Sequence, residues 1–269
     1  MLTQTLVRPG DAADLTARDP ADRLGLEGKK ESLPRLESLR EELSALQERL
    51  YAEGDRALLL VLQGLDASGK DGAVRSVFTG VNPQGVRVVS FKVPAPNEVA
   101  HDYLWRIHTS CPARGEIGIF NRSHYEDIVT VRVLGLAPEE VWRRRAEHVR
   151  AFERLLVDEG TTVVKVFLHL SRDEQRERLQ ERLDDPAKRW KFRAGDLATR
   201  ARWDDYAVAY EEAITETSTE WAPWHVVPAD RNWVRNLAIA ELLVRALRKI
   251  DPQLPQPEEA LDGIVLDGP

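Results

Sequence analysis

The feature that most constrains the fold is a run of apolar residues that leads directly into a glycine-rich loop. Residues 57–63 read ALLLVLQ and residues 64–72 read GLDASGKDG. The spacing from Gly64 to Gly69-Lys70 nearly matches a P-loop, in which backbone N–H groups and a lysine bind phosphate. A buried strand, such a loop and a following helix are typical of an α/β domain. The sequence therefore predicts a phosphate site at the carboxyl end of this strand.

The loop departs from the P-loop pattern in its acidic residues. Asp71 stands where a serine or threonine hydroxyl would meet Mg²⁺, and Asp66 lies inside the loop. Carboxylates beside phosphates require a cation between them, and Mg²⁺, or Mn²⁺ in its place, prefers oxygen ligands. We expect Asp66 to be the metal ligand because it precedes the lysine, whereas Asp71 either shares this role or pairs at the helix start. The predicted phosphate cradle consists of Ala67, Ser68, Gly69, Lys70, Asp71 and Gly72, with Lys70 as the catalytic cation.

The remaining pattern predicts a parallel sheet covered by helices on both faces, because short apolar strands alternate with helices. The five predicted strands cover residues 57–63, 86–93, 116–121, 161–170 and 224–229. Predicted helices begin at Ser32, run over 70–80 and 97–109, start at Pro138 and end at Gly160, and continue after the last strand to about Lys249. The predicted fold class is a three-layer α/β/α domain with a five-stranded parallel sheet.

Three further segments complete the predicted domain organisation. Residues 1–31 are polar and are predicted to form an irregular arm before a domain at 32–250. Residues 171–220 have helical patterns without a strand and are predicted to form a lid inserted between core strands. Residues 251–269 contain no Lys or Arg and are predicted to form an acidic tail.

Composition excludes several classes of protein. The single cysteine rules out an internal disulfide and a zinc cluster, and no run of ~20 apolar residues could span a bilayer. We therefore expect a cytoplasmic protein without a membrane partner. A net charge of −7 argues against a nucleic-acid partner. Two basic segments, 141–150 and 187–193, are either solvated helix faces or part of a local polyanion site.

The third strand ends in IFNRSHYED, which places polar side chains beside the P-loop edge. Asn121 offers a neutral oxygen where P-loop enzymes often have a metal-binding acid, although it could equally cap a helix. Arg122 can bind a phosphate through two parallel hydrogen bonds. Glu126 and Asp127 follow within about one helical turn.

The predicted lid carries a second set of cations. Arg178 and Arg182 are four residues apart and share a helix face, and Lys188 and Lys191 follow Pro186. Lid cations that close on phosphates exclude water and neutralise charge. Interleaved acids leave a salt-bridged surface helix as the alternative.

Four segments, GLDASGKDG, NRSHYED, DDPAKRWKF and STEWAPWHVVPADRNWVRN, together resemble the family-2 polyphosphate kinases over roughly residues 30–250. The resemblance implies a P-loop kinase-like fold with a helical lid, and phosphoryl transfer between inorganic polyphosphate and nucleotides with Mg²⁺ held partly by the loop aspartate. It implies catalytic roles for Asp66, Lys70, Arg122 and Arg178, and polyphosphate binding by the lid cations. The implied nucleotide-binding residues are Asn121, Arg122, Glu126, Asp127 and Arg178.

One departure from the family pattern bears on the substrate. Many members have aspartate where this chain has Asn121, and the form with Asn121 and Glu126 resembles the branch that accepts both AMP and ADP, giving ADP and ATP. We also expect a homo-oligomer. The main alternative is an ATP-dependent nucleoside monophosphate or small-metabolite kinase, which shares the fold. A regulatory nucleotide switch would need an Asn/Thr-Lys-x-Asp motif, which the sequence lacks, and the acidic charge disfavours a nucleic-acid-dependent ATPase.

Overall fold

The computed structural model describes residues 1–257, in which six strands form one sheet with the order β1-β6-β5-β2-β4-β3. The strands are β1 (Leu6–Val7), β2 (Ala57–Gln63), β3 (Val86–Ser90), β4 (Ile117–Asn121), β5 (Thr161–His169) and β6 (Trp224–Pro228). All neighbouring strands are parallel except β1, which pairs antiparallel with β6. The strand that carries the P-loop is thus at the centre of the sheet.

Helices cover both faces of the sheet and separate most of its strands. They are α1 (Leu2–Thr5), α2 (Lys29–Glu53), α3 (Lys70–Val77), α4 (Pro96–Val99), α5 (Trp105–His108), α6 (Val129–Val133), α7 (Glu139–Asp158), α8 (Arg172–Asp184), α9 (Ala194–Ala201), α10 (Trp203–Thr217) and α11 (Asn232–Ile250). Short 3₁₀ turns lie at Leu15–Ala17, Pro83–Gly85, His124–Asp127 and Arg189–Lys191. None of the helices within residues 1–257 is long and apolar enough to cross a membrane.

Alternating side chains of β2 pack into two separate apolar cores. Leu58 and Leu60 face the core formed with α2, α3 and α11, whereas Leu59 and Val61 face the core formed with α7 and α10. Because side chains alternate across a strand, a strand that is apolar at every position requires cover on both faces. The predicted three-layer α/β/α class is confirmed.

The predicted five-stranded sheet was one strand short, because the first 31 residues are not wholly irregular. Leu6 and Val7 pair with His225 and Trp224, and Val7 is almost fully buried. The Thr5 hydroxyl also lies 2.9 Å from His225 Nδ1. A strand of two residues has no periodicity for sequence reasoning to detect, and only its tertiary partner identifies it.

Other element boundaries also differ from prediction. The helix predicted over residues 97–109 is two short helices, α4 and α5, and the second predicted strand stops at Ser90, before Phe91. This strand lies at the sheet edge and is largely exposed rather than buried. The helix after the P-loop ends at Val77.

The predicted lid range of 171–220 includes a helix that belongs to the core. Tyr210, Ala213 and Ile214 of α10 are buried in a core formed with the sheet. The lid prediction is therefore kept only for the segment from α8 to α9, which is called the lid below. Of the predicted acidic tail, residues 251–257 are described and have no helix or strand. The remainder, 258–269, lies outside the described residues.

Candidate active site

The candidate site lies where β2, β4 and β5 reach the same edge of the sheet. Leu62 pairs with Asn121, and the Arg122 backbone N–H donates to the Leu62 carbonyl at 3.0 Å. This places the loop 64–72 directly beside the chain that follows β4. Parallel strands bring their carboxyl ends together in this way, which is why such edges carry ligand sites.

Two glycines give the P-loop a path that other residues could not take. A Cβ on Gly64, which has φ +147°, would lie 2.9 Å from the Leu168 carbonyl oxygen, and a Cβ on Gly69 would lie 1.8 Å from Arg235 Nη1. Ala67, between them, has a left-handed φ of 65°. A non-glycine residue in this conformation is strained and persists only where its surroundings hold it.

Lys70 is buried at the first turn of α3 and points back along its own loop. Its Nζ donates to the carbonyls of Gly64 at 2.6 Å and Leu65 at 3.2 Å. Burial, and secondly the Arg122 guanidinium, lower the pKa of Lys70 to about 8, although Asp66 acts in the opposite direction. Both hydrogen-bond acceptors of this buried ammonium are neutral carbonyls. A negatively charged phosphate would stabilise its charge further.

Arg122 joins the two strand ends electrostatically. It forms an ion pair with Asp66 of the P-loop and lies 3.4 Å from Glu126. Burial acts to lower the pKa of Arg122, but Glu126 and then Asp66 outweigh this effect and raise it. Its own φ is 61°, a second strained backbone position at the site. The structure brings these three charged residues, Arg122, Asp66 and Glu126, together at one place.

Glu126 is held in place rather than lying free on a surface helix. Its Oε2 accepts a hydrogen bond from Thr130 at 2.6 Å. With its amide turned so that the nitrogen faces these groups, Gln63 donates to Glu126 Oε1 at 3.1 Å and to Tyr210 Oη at 3.2 Å. Gln63 and Tyr210 are site residues that sequence reasoning missed, because buried polar residues within an apolar strand or helix carry no motif.

The residue after the P-loop lysine is connected to the end of β4. Asn121 Nδ2 donates to Asp71 Oδ1 at 2.5 Å. Sequence reasoning gave Asp71 two alternatives, a metal role or a contact at the helix start, and Asn121 two alternatives, a metal contact or a helix cap. In this structure the two side chains contact each other, so the loop acid and the neutral strand-end residue form a pair.

Comparison with known proteins identifies the family. The model of the family described as polyphosphate kinase 2 (PPK2) matches residues 27–255. The chain belongs to the polyphosphate kinase 2 family. It is 56% identical to a Meiothermus ruber protein named AMP/ADP-polyphosphate phosphotransferase, over 97% of this chain and 98% of that one. It is 45% identical to a Rhodopseudomonas palustris protein named ADP-polyphosphate phosphotransferase, over 80% of this chain and 79% of that one.

Solved structures agree with the family assignment. The crystal structure of polyphosphate kinase 2 from Arthrobacter aurescens TC1 superimposes with a TM-score of 0.92 at 43% identity, covering 96% of this chain and 92% of that one. The predicted resemblance and the kinase-like fold are therefore confirmed, and the protein is a phosphotransferase of this family.

The cations of the predicted lid lie in two environments. The Arg178 guanidinium donates to P-loop carbonyls, including that of Ala67 at 3.0 Å. Arg182 pairs with Asp196 at 3.2 Å, and Lys188 pairs with Glu181 at 2.5 Å. Lys191 lies 5.2 Å from the centre of the exposed Trp190 ring. Direct contact of these four cations with phosphate stays a prediction.

Asp127 is the predicted nucleotide-binding residue with contacts elsewhere. Its carboxylate lies 3.6 Å from Arg106 and 3.8 Å from Arg145. Burial raises the pKa of Asp127, although both arginines act to lower it. Its nucleotide role stays a prediction, and its observed contacts fix the chain after β4 to α5 and α7.

The donor set of the loop fits a magnesium ion held jointly with substrate. Mg²⁺ in phosphoryl-transfer sites is usually bound by one or two carboxylates together with phosphate oxygens. Asp66 and Asp71, which flank Lys70 in the sequence, supply two carboxylates. Within residues 1–257, no group of three or more His, Cys, Asp or Glu side chains could hold a metal ion by itself. The set is therefore appropriate for a cation that arrives with phosphates rather than for a closed protein cage.

Proposed function

We propose that this protein transfers the terminal phosphoryl group of inorganic polyphosphate to AMP and to ADP, giving ADP and ATP, in a reversible reaction. The observation that carries the proposal is the P-loop at the sheet edge, where the buried Lys70 lies beside the Asp66–Arg122–Glu126 charge cluster. The relative that is 56% identical and named for both AMP and ADP supports the same substrates.

The site's charges suit a reaction between two anions. An acceptor phosphate oxygen attacks the terminal phosphorus, a new P–O bond forms, and the bond to the next phosphate breaks with the shortened polyphosphate as leaving group. The nucleophile is already anionic, so positioning and charge neutralisation supply the catalysis. We assign phosphate binding to the loop 67–72 and charge neutralisation to Lys70 and Arg122. The recorded bonds of Arg122 to Asp66 and Glu126 use two of its five N–H donors, which leaves others for a phosphate.

Asp66 would hold Mg²⁺, with Asp71 as a second carboxylate at the other side of the lysine. When bound, the ion supplies positive charge that offsets repulsion between these acids and the phosphates. Arg122 forms an ion pair with Asp66 and offsets part of the negative charge at this site. Mn²⁺ would satisfy the same oxygen donors.

One assay tests the proposal directly. Purified protein is incubated with Mg²⁺, polyphosphate and AMP, and nucleotides are resolved by chromatography over time. We expect ADP first and ATP second, and none of either when polyphosphate is omitted. Formation of product only when ATP replaces polyphosphate as donor would instead support the ATP-dependent kinase.

A further inference from the structure

Side-chain donors from two helices contact the outward carbonyls of the P-loop, and the proposed chemistry does not use these contacts. Three consecutive carbonyls are involved, and their donors belong to α8 of the lid and to α11. The contacts are Gln175 Nε2 to Asp66 O at 2.9 Å, Arg178 Nη1 to Ala67 O at 3.0 Å and Ser68 O at 3.3 Å, and Arg235 Nη1 to Ser68 O at 3.3 Å.

Contacts to these carbonyls control where the loop's N–H groups point. In a trans peptide the C=O and the following N–H point in opposite directions. The Ser68 N–H donates within the loop, to the Leu65 carbonyl at 3.1 Å. Donors that hold the carbonyls of residues 66 and 68 on one side direct the N–H groups of residues 67 and 69 to the other side, where a phosphate would bind. The strained φ of 65° at Ala67 is held from outside by the same contacts.

Arg178 is fully committed to these backbone contacts. A guanidinium has five N–H donors. All of them are used, by one carboxylate and four carbonyls: Glu174 at 2.8 Å, Ala67 at 3.0 Å, Ser68 at 3.3 Å, Ala229 at 2.6 Å and Asp230 at 3.0 Å. In this arrangement Arg178 orients the backbone of the P-loop.

Arg235 is buried on the other side of the loop and packs directly on Gly69. Its remaining recorded acceptors are the side-chain oxygens of Asn232 and Asn236. Burial and then the nearby Arg178 lower the pKa of Arg235 to about 9. The Ser68 carbonyl therefore accepts hydrogen bonds from two guanidinium groups, those of Arg178 and of the buried Arg235.

Gln175 connects this arrangement to the lid. Its side chain is fully buried, and while its nitrogen donates to the Asp66 carbonyl, its Oε1 accepts a hydrogen bond from Arg200 at 3.0 Å. Arg200 lies on α9, the returning helix of the lid, and also donates to the Arg172 carbonyl at 2.6 Å. One amide therefore contacts both the P-loop backbone and the far helix of the lid.

We infer that Gln175 is a positioning residue, which with Arg178 and Arg235 preorganises the phosphate-binding N–H groups of the P-loop and links their orientation to the placement of the lid. The inference rests on the proposed function only in its kinetic test, which measures kcat and KM with polyphosphate and AMP. The orientation of the loop is a property of the protein without substrate.

The test uses two variants at one position and a matched control. Gln175→Met removes the amide at similar length, and Gln175→Glu keeps the acceptor for Arg200 but offers the Asp66 carbonyl no donor. Gln180→Met is the control, because Gln180 lies on the same helix and its exposed amide contacts only Asp184, at 2.8 Å. Hydrogen exchange of the peptide covering residues 64–72 is measured without substrate, followed by kcat and KM for AMP at saturating polyphosphate and Mg²⁺.

We expect faster exchange in residues 64–72 of both Gln175 variants, with β2 and β5 unchanged, and no change in the control. We expect kcat to fall about tenfold with KM for AMP within about twofold, because misplaced binding groups chiefly affect the reacting geometry. Unchanged loop exchange in the variants, or exchange that rises evenly across the sheet, would overturn the inference. If Gln175→Met does not fold, Gln175→Glu decides. If the wild-type protein has no activity with polyphosphate, the proposed function is wrong. The hydrogen-exchange result still tests the inference about Gln175, because it is measured without substrate.

Discussion

The cations that contact the P-loop and the exposed cations of the lid differ in burial and in the kind of partner they contact. Lys70 and Arg235 are 8% and 2% exposed, and both donate to backbone carbonyls of the loop. Lys188 has a side chain 41% exposed and contacts only carboxylates of its own segment, and the neighbouring Trp190 is 75% exposed. The same residue types thus occupy a rigid buried region and a solvated one.

The difference in burial indicates that the cations at the P-loop and the exposed cations of the lid contribute to different steps of the reaction. A buried cation held by backbone acts where the dielectric is low, so its charge is strong and its position is fixed. An exposed ion pair contributes ~0.2–1 kcal/mol and exchanges partners readily. We therefore expect changes at residues that contact the P-loop to lower turnover, and changes at the exposed cations Lys188 and Lys191 to lower affinity for polyphosphate.

Lys70→Ala should have the largest effect. The side chain is the buried cation closest to the P-loop carbonyls of Gly64 and Leu65. Loss of a preorganised charge contact of this kind reduces kcat by about 10²- to 10³-fold. Steady-state rates with polyphosphate and AMP measure it, with circular dichroism as the check on folding. A kcat near that of wild type would contradict the site assignment.

The two loop carboxylates should differ in metal dependence. We expect Asp66→Asn to raise the Mg²⁺ concentration needed for half-maximal rate by at least about tenfold, and by more than Asp71→Asn does. Asp66 is the candidate metal ligand, whereas Asp71 has a neutral partner in Asn121. Magnesium titrations of both variants decide between them. A larger shift for Asp71→Asn would reverse the two roles.

Sequence reasoning could place the P-loop and the residues after the third predicted strand at the same edge of the sheet, because both follow apolar strands and parallel strands have adjacent carboxyl ends. It did not predict that Asp66, Arg122 and Glu126 contact one another. It did not identify Gln175, whose role depends on a backbone carbonyl 109 residues away. The family resemblance and the charge pattern assigned Arg178 to phosphate, a role that stays a prediction, while its contacts to the P-loop carbonyls could not be read from the sequence. Which acceptor an arginine reaches is decided by tertiary packing, not by the charge pattern.

The activity should fall at alkaline pH. Burial and the adjacent Arg122 lower the pKa of Lys70 to about 8, so the free enzyme loses this positive charge as pH rises through that value. We expect kcat/KM to decrease by about tenfold per pH unit above it, since kcat/KM reports groups of the free enzyme. Lys70→Arg, which stays charged, should lack this decrease. A flat wild-type profile from pH 7 to about 9.5 would show that the charge of Lys70 is not required.

The solvated lid should give a smaller, salt-dependent effect. We expect Lys188→Ala combined with Lys191→Ala to raise KM for polyphosphate by about threefold with kcat little changed, and the effect should shrink as salt screens the charges. Lys30→Ala is a matched control, because Lys30 is an exposed lysine on α2. An equal rise in KM for the control would assign the effect to net charge. A fall in kcat would instead show that these lysines contribute to turnover, as is expected for the buried cations Lys70 and Arg235.

Glu126→Gln should have the smallest effect on overall rate and should alter the choice of acceptor. Glu126 lies between Arg122, Thr130 and the amide of Gln63, so its charge is directed into the site by fixed neighbours. AMP and ADP differ by one phosphate, and the reacting phosphate must be accommodated at two depths while the base stays in place. Asn121 carries no charge there, and we propose that Glu126 supplies the acid that sets this balance.

We therefore expect Glu126→Gln to change the ratio of kcat/KM for AMP and ADP by about threefold, rather than lowering both equally, because glutamine keeps the side-chain volume and removes the charge. The measurement is steady-state rates with each acceptor at saturating polyphosphate. Glu139→Gln, at an exposed position on α7, should leave the ratio unchanged. An equal fall in kcat/KM for AMP and for ADP would mean that Glu126 only positions Arg122. Such a positioning residue would affect both reactions alike, because they use the same phosphoryl donor.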